Sequence, residues 1–295
     1  MMMRLSGDEA VTAPIGPRVK RRVARSLKHV ILIFFAVTII LPLFWVVFLS
    51  FNSLPDAYNN WIWPRHGFDF THYMQAWQGI PTLPRHMWNS VHVTVLTVVF
   101  TVIASTLGGY ALVHLRLPGR AVVLAVLVGS LFFPTQVTGL IGVWEIQRQL
   151  GILNTTWGLI PPYVTLRLAL GIFVMRAVFQ TISPELMQAA TVDGAGPWQA
   201  FRHVMAPLAI NGMIVVSLIT FITAWGEYVF AATLTWERSM RTLPVQLVTV
   251  TGGIAEWSWP RIAAVYVMAV LPAFVLFALV SRRFMDTLQE GALKG

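Results

Sequence analysis

Few residues in this 295-residue chain could do covalent chemistry, and their arrangement argues against catalysis. There is no cysteine, which excludes disulfides, zinc-thiolate sites and thiol nucleophiles. The lysines are Lys20, Lys28 and Lys294, and none stands in a G-x-x-x-x-G-K-[ST] phosphate loop. The histidines are scattered, without H-E-x-x-H or other ligand spacing, so no metal and no other cofactor is expected in this chain. What remains is the chemistry of binding inside an apolar medium. Trp225-Gly-Glu-Tyr228 lies within an apolar run. Either Trp225, Glu227 and Tyr228 line a passage and hydrogen-bond hydroxyl groups, or Glu227 bonds a neighbouring helix and shapes a bundle. Arg167 follows Pro161-Pro162 by five or six residues, about one to two helical turns inside a span. It either snorkels to the interface or faces a path and pairs with a carboxylate, sulfonate or phosphate.

The elements that must position these residues are membrane helices. Hydrophobic residues make up 56% of the chain and charged residues 11%, where a soluble domain carries about a quarter charged. The net charge of +9 comes from basic residues that flank apolar runs, a topology signal and not a nucleic-acid face. Hydropathy predicts an all-α, polytopic protein with six transmembrane helices, near 30–51, 89–115, 121–143, 159–180, 208–234 and 262–280. The first run is too long for a signal peptide and lacks a cleavage site. Asn89-Ser90 is expected to open the second span, and Trp61, Trp63, Trp77 and Trp88 suit an interfacial belt before it. Ala104/Gly108 and Ser105/Gly109 are small pairs at four-residue spacing, which lets helices approach closely. Residues 144–156 read as a short external connection. With this count both termini are cytoplasmic, as are about two thirds of the Lys and Arg residues. The chain divides into a basic tail at 1–29, a transmembrane bundle at 30–281 and a tail at 282–295 too polar to order alone.

One polar stretch between spans four and five, 181–208, reads as structured. Ser183 suits an N-cap, Pro184 the first helical position, and Glu185 the positive end of the helix dipole. Gly194 suits the helix stop, and Pro197 opens a second short helix that Pro207 ends. On that second helix Trp198, Phe201 and Val204 share a face. The pair either docks into a partner's groove or covers the membrane bundle.

Gln188-Ala-Ala-Thr-Val-Asp193-Gly-Ala, followed by Phe201 and Pro207-Leu208, resembles the EAA loop of ABC importer permeases. It is most similar to the second permease of the carbohydrate-uptake subfamily. The 109–119 segment, Leu150-Gly-Ile-Leu-Asn-Thr155 and the C-terminal Gly-Ala-Leu-Lys-Gly also resemble family segments. The chain departs from the pattern at Gln188, where the family has Glu, and at Ala206. The resemblance implies an inner-membrane, multi-pass subunit that is not an enzyme, working with a second homologous permease among membrane lipids. It also implies an ATPase dimer that holds ATP and Mg, and an extracytoplasmic solute-binding protein. The coupling contact would fall on Glu185, Gln188, Ala189, Ala190 and Asp193, then on Gly194, Ala195, Phe201 and Pro207. The loop at 235–259, with Thr251, Gly252 and Gly253 at an exposed and sharply turned tip, would touch the binding protein. A carbohydrate or glycoside is the expected cargo. A glycerol-phosphate importer, an ion-coupled transporter and a membrane scaffold are the alternatives.

Overall fold

Apolar periodicity without strand signals gives a helical chain. The computed structural model describes residues 17–59, 63–132, 138–253 and 257–292, and among these there is no strand. The first helix, α1 (Pro17–Leu49), carries both the basic run and the first apolar run. Two short helices follow, α2 (Leu54–Tyr58) and α3 (Thr71–Gly79), and then the long α4 (Leu83–His114). Next come α5 (Arg120–Phe132), α6 (Leu140–Leu150) and α7 (Ile160–Thr181). The polar loop forms α8 (Pro184–Val192) and α9 (Pro197–Leu208). The chain ends in α10 (Ile210–Trp225), α11 (Val229–Leu234), α12 (Leu243–Gly253) and α13 (Trp259–Ala292).

Among the described residues three helices are long and apolar enough to cross a membrane: Lys28–Leu49, Leu83–His114 and Trp157–Thr181. A fourth is the pair α9 and α10, bent by 72°, if the two make one span. Arg120–Phe132 and Trp259–Val275 are apolar but shorter. Several expected boundaries move. The second span starts at Leu83, because Pro84 sits in the first turn, where its missing N–H costs nothing. Asn89 and Ser90 are therefore inside α4, and both are bonded across the fold. Asn89 donates to the Ser239 and Arg241 carbonyls, and the Ser90 hydroxyl accepts from Leu243 N. The expected external connection begins inside α6, where Glu145, Arg148 and Gln149 share one face and Gln147 turns inward to donate to the Gly158 carbonyl. Glu145 there accepts from both Arg148 and Gln149. The expected tail boundary at 281/282 has no structural mark, since α13 continues to Ala292. Residues 1–16, Trp61 and Pro134 lie outside the described residues.

The centre of the bundle is α4 against α7, with α10 beside both. In a membrane, close van der Waals contact replaces the hydrophobic drive, so small residues decide where backbones meet. A Cβ on Gly109 would lie 2.7 Å from Met175 Cβ and 2.8 Å from the Arg176 backbone nitrogen. One on Gly171 would stand 2.9 Å from Ser105 Cβ, so the predicted small pairs are the α4–α7 contact itself. Buried Tyr110, Met175, Phe179, Phe201 and Met205 close one end of this core.

Candidate functional site

The loop at 183–208 folds as its caps dictate. Ser183 Oγ accepts from Glu185 N at 3.3 Å, with Pro184 behind it in the first turn. The helix stops at Gly194, whose φ of +79° is the left-handed region that glycine enters without strain. There Ala195 N returns to the Ala190 carbonyl at 2.9 Å. Gly196 N then donates to Gln199 Oε1, which caps the second helix. That helix widens into a π turn over Phe201–Met205, just before Pro207, which offers no N–H to the carbonyl four residues back.

The loop has two faces. One is fastened to the bundle: Ala190, Ala200, Phe201 and Met205 are buried. The Tyr110 hydroxyl donates to the Pro197 carbonyl at 2.9 Å, and its ring lies 4.9 Å from Phe201 and 5.8 Å from Phe179. The other face is open, with Val192 86% and Trp198 61% exposed beside exposed Glu185, Gln188, Ala189, Asp193 and Gly194. Pro207 is exposed and Ala195 half-buried. Two of the expected contact residues thus turn inward. Ala190 is buried on α8, and Phe201 packs on the bundle, because the stacked Trp198 and Phe201 rings and the Tyr110 contact set the rotation of α9. Tyr110 went unassigned in the sequence, although it stands in the 109–119 segment.

The second region lies between α7 and α10. Arg167 is half-buried and donates from Nε to Thr223 Oγ1 at 2.7 Å. Thr223 in turn donates to the Ile219 carbonyl at 2.9 Å, so its free lone pair faces the guanidinium. Less than one turn after Thr223 the helix breaks at Gly226–Tyr228, where hydropathy alone predicts one continuous span. Glu227 is the reason the break holds. Buried to 5% exposure, it accepts Phe230 N at 2.9 Å on one carboxylate oxygen and Ala231 N at 3.1 Å on the other. These N–H groups are the orphans of the α11 N-terminus, so a carboxylate there meets both hydrogen bonding and the helix dipole. Glu227 thus bonds the helix that follows it in its own chain, and the buried Tyr163 of α7 lies beside the same carboxylate. Trp225 stacks on Phe221 and packs against the cluster of Ala76, Leu83 and Val265, while Tyr228 is exposed.

Asn154 also went unassigned, although it stands in the quoted Leu150–Thr155 segment. Its φ is +59°, and its Oδ1 accepts from Trp236 N and Glu237 N. Its own N–H donates to the Leu234 carbonyl at the end of α11. Thr251, Gly252 and Gly253 form the last turn of α12 and not a turned loop tip. Pro244 in the first turn and an apolar run carry the helix that far, and residues 254–256 beyond it lie outside the described residues.

The fold and these sites define an integral membrane protein whose 183–208 loop has one face fastened and one face open. Residues 104–293 match the model of the binding-protein-dependent transport system inner membrane component family, and the chain belongs to that family. It is 32% identical over 255 residues to a sulfoquinovosyl glycerol transport system permease of Agrobacterium fabrum, covering 86% of this chain and 88% of that one. It is 30% identical to the maltose/maltodextrin transport system permease of Escherichia coli K12, covering 91% and 95%. Its fold matches a chain of a bacterial ABC transporter involved in the import of the acidic polysaccharide alginate. That match has a TM-score of 0.79 at 24% identity, over 92% of this chain and 100% of that one.

Proposed function

We propose that this chain is one permease subunit of a binding-protein-dependent ABC importer that carries a carbohydrate or glycoside across the inner membrane. The observation that carries this reading is the two-faced loop. Its inner face is locked to the bundle through Tyr110, and its outer face presents Leu186, Val192 and Trp198 to a partner. The outer face fits a groove on an ATPase dimer, which holds ATP and Mg and supplies the energy. A second, homologous permease and lipid cover the apolar side of α1, where Leu32 and Phe34 are about two thirds exposed. A solute-binding protein delivers the cargo, with Thr251–Gly253 near its docking surface. Relatives named for sulfoquinovosyl glycerol and maltodextrin support a sugar or glycoside over a glycerol phosphate. Six spans with both termini in the cytoplasm place the loop on the ATPase side.

Gly194→Val tests the reading. A β-branched residue at φ +79° strains the turn by about 1–2 kcal/mol or more, although a Cβ there meets no neighbour within 4 Å. Assembly, read by co-purification of the subunits, should persist while substrate-stimulated ATP hydrolysis falls. Full stimulated hydrolysis and uptake in the assembled variant would defeat the coupling role.

A further inference from the structure

Among the described residues Arg167 is a cation without an acid. No carboxylate among them stands within ion-pair distance of it; the ion pairs there join Asp56 to His66, Asp69 to His72 and Glu145 to Arg148. Glu227, four residues beyond Thr223, accepts the Phe230 and Ala231 N–H groups at the α11 N-terminus. A charge inside a span is held there by a partner, by water or by a ligand.

The Arg167 side chain is directed across the bundle rather than along its own helix. By helical rise Arg167 sits about 10 Å along α7 from Ile160. Its Nε reaches sideways to Thr223 on α10. On its other side Arg167 borders a closed seam between the two helices, walled by Leu170, Gly171, Val216, Ile219 and Thr220, with no room for a water, so the guanidinium is open only away from this seam. The bond to Thr223 fixes one edge of the guanidinium and leaves its two terminal nitrogens as a fork. The Thr220 hydroxyl, 1% exposed, is sealed in that seam, which leaves the guanidinium as the polar group open to a partner. A planar fork suits a carboxylate, sulfonate or phosphate, which takes two parallel hydrogen bonds, far better than a neutral sugar hydroxyl.

We propose that Arg167, positioned by Thr223 between α7 and α10, is a station that recognises an acidic group on the transported carbohydrate. The proposal rests on the importer reading above and narrows its cargo to anionic sugars. An acidic side chain of the second permease is the competing partner for the same fork, and the test separates the two.

The full complex with its binding protein, in proteoliposomes, is given two matched pairs of probes. These are methyl sulfoquinovoside with methyl glucoside, and digalacturonate with its dimethyl ester. Wild type should take up an acidic member. Arg167→Gln should lower that uptake about ten- to hundredfold, the loss expected for a hydrogen-bonded charge pair. Arg167→Lys should restore part of it, and uptake of any neutral member should stay within about twofold. Wild-type uptake of neutral members alone, or equal losses for both members of a pair in Arg167→Gln, would overturn the proposal and leave the importer reading intact. Loss of the second permease from purified Arg167→Gln would overturn it in favour of an inter-subunit ion pair. Failure of the wild-type chain to purify together with an ATPase subunit would count instead against the importer reading itself.

Discussion

Replacing Glu227 separates a structural carboxylate from one that meets the cargo. Its two oxygens take buried N–H groups at 2.9 Å and 3.1 Å. Gln keeps one acceptor and turns an amide NH2 toward the other N–H, so one charge-assisted bond is lost, at about 1.5–3 kcal/mol. Ala leaves both donors unmet, at roughly 3–6 kcal/mol on the same scale. At about 2–4 °C per kcal/mol, Glu227→Gln should lower the melting temperature of the complex by roughly 3–12 °C, and Glu227→Ala by more. The assay is the fraction of detergent-purified complex that stays assembled after stepwise heating. Uptake is measured in parallel and divided by the amount of assembled complex. Stability should fall from wild type to Gln to Ala, with uptake per assembled Gln complex close to wild type. A Gln variant that melts like wild type but transports at least tenfold less would refute the capping role and return the carboxylate to the path.

Two further outcomes follow from the same bookkeeping of bonds. Tyr110→Phe keeps the ring contacts but strands the Pro197 carbonyl, worth about 0.5–1.5 kcal/mol. Substrate-stimulated ATP hydrolysis should fall about two- to tenfold in the assembled complex, and unchanged coupling would show that the hydroxyl does not hold the loop. Burial pushes the Asp56 carboxyl up, but hydrogen bonds from the His66 backbone, the His66 ring and Ser53, with the charge of that ring, hold it below its ordinary 3.8. A lowered carboxylate stabilises the folded form above about pH 3.8, and that support is lost as pH falls through the lowered value. Hydrogen exchange of the 53–66 backbone should speed up as pH drops below this range, beyond the intrinsic pH effect. Asp56→Asn should show weak protection already at pH 7, and equal protection in variant and wild type would remove the role.

What was legible in the sequence is what neighbouring residues settle between themselves. Ser183, Pro184 and Gly194 each act within one helical turn, so the loop and its stop were readable from spacing. Gly108 and Gly109 were readable because only small side chains allow α4 and α7 to touch. The break at Gly226 was not, since hydropathy averages over it and a carboxylate that caps a helix looks like one placed for a ligand. Asn89 binds carbonyls some 150 residues away, and no local pattern announces such a partner. The face of α6 that carries Glu145, Arg148 and Gln149 reads as a polar connection until those residues are seen at helical spacing. Arg167 was visible as an anomaly, but its direction came only with Thr223.

The exposure of α1 bears on what the bundle needs around it. From Val30 to Phe44 its large side chains are about half to two thirds uncovered by the rest of the chain. Its core lies in α4, α7 and α10, so α1 is tethered more than packed. That uncovered surface is apolar along its whole length, so lipid can cover it as well as protein can, and the bundle does not depend on what lies against α1.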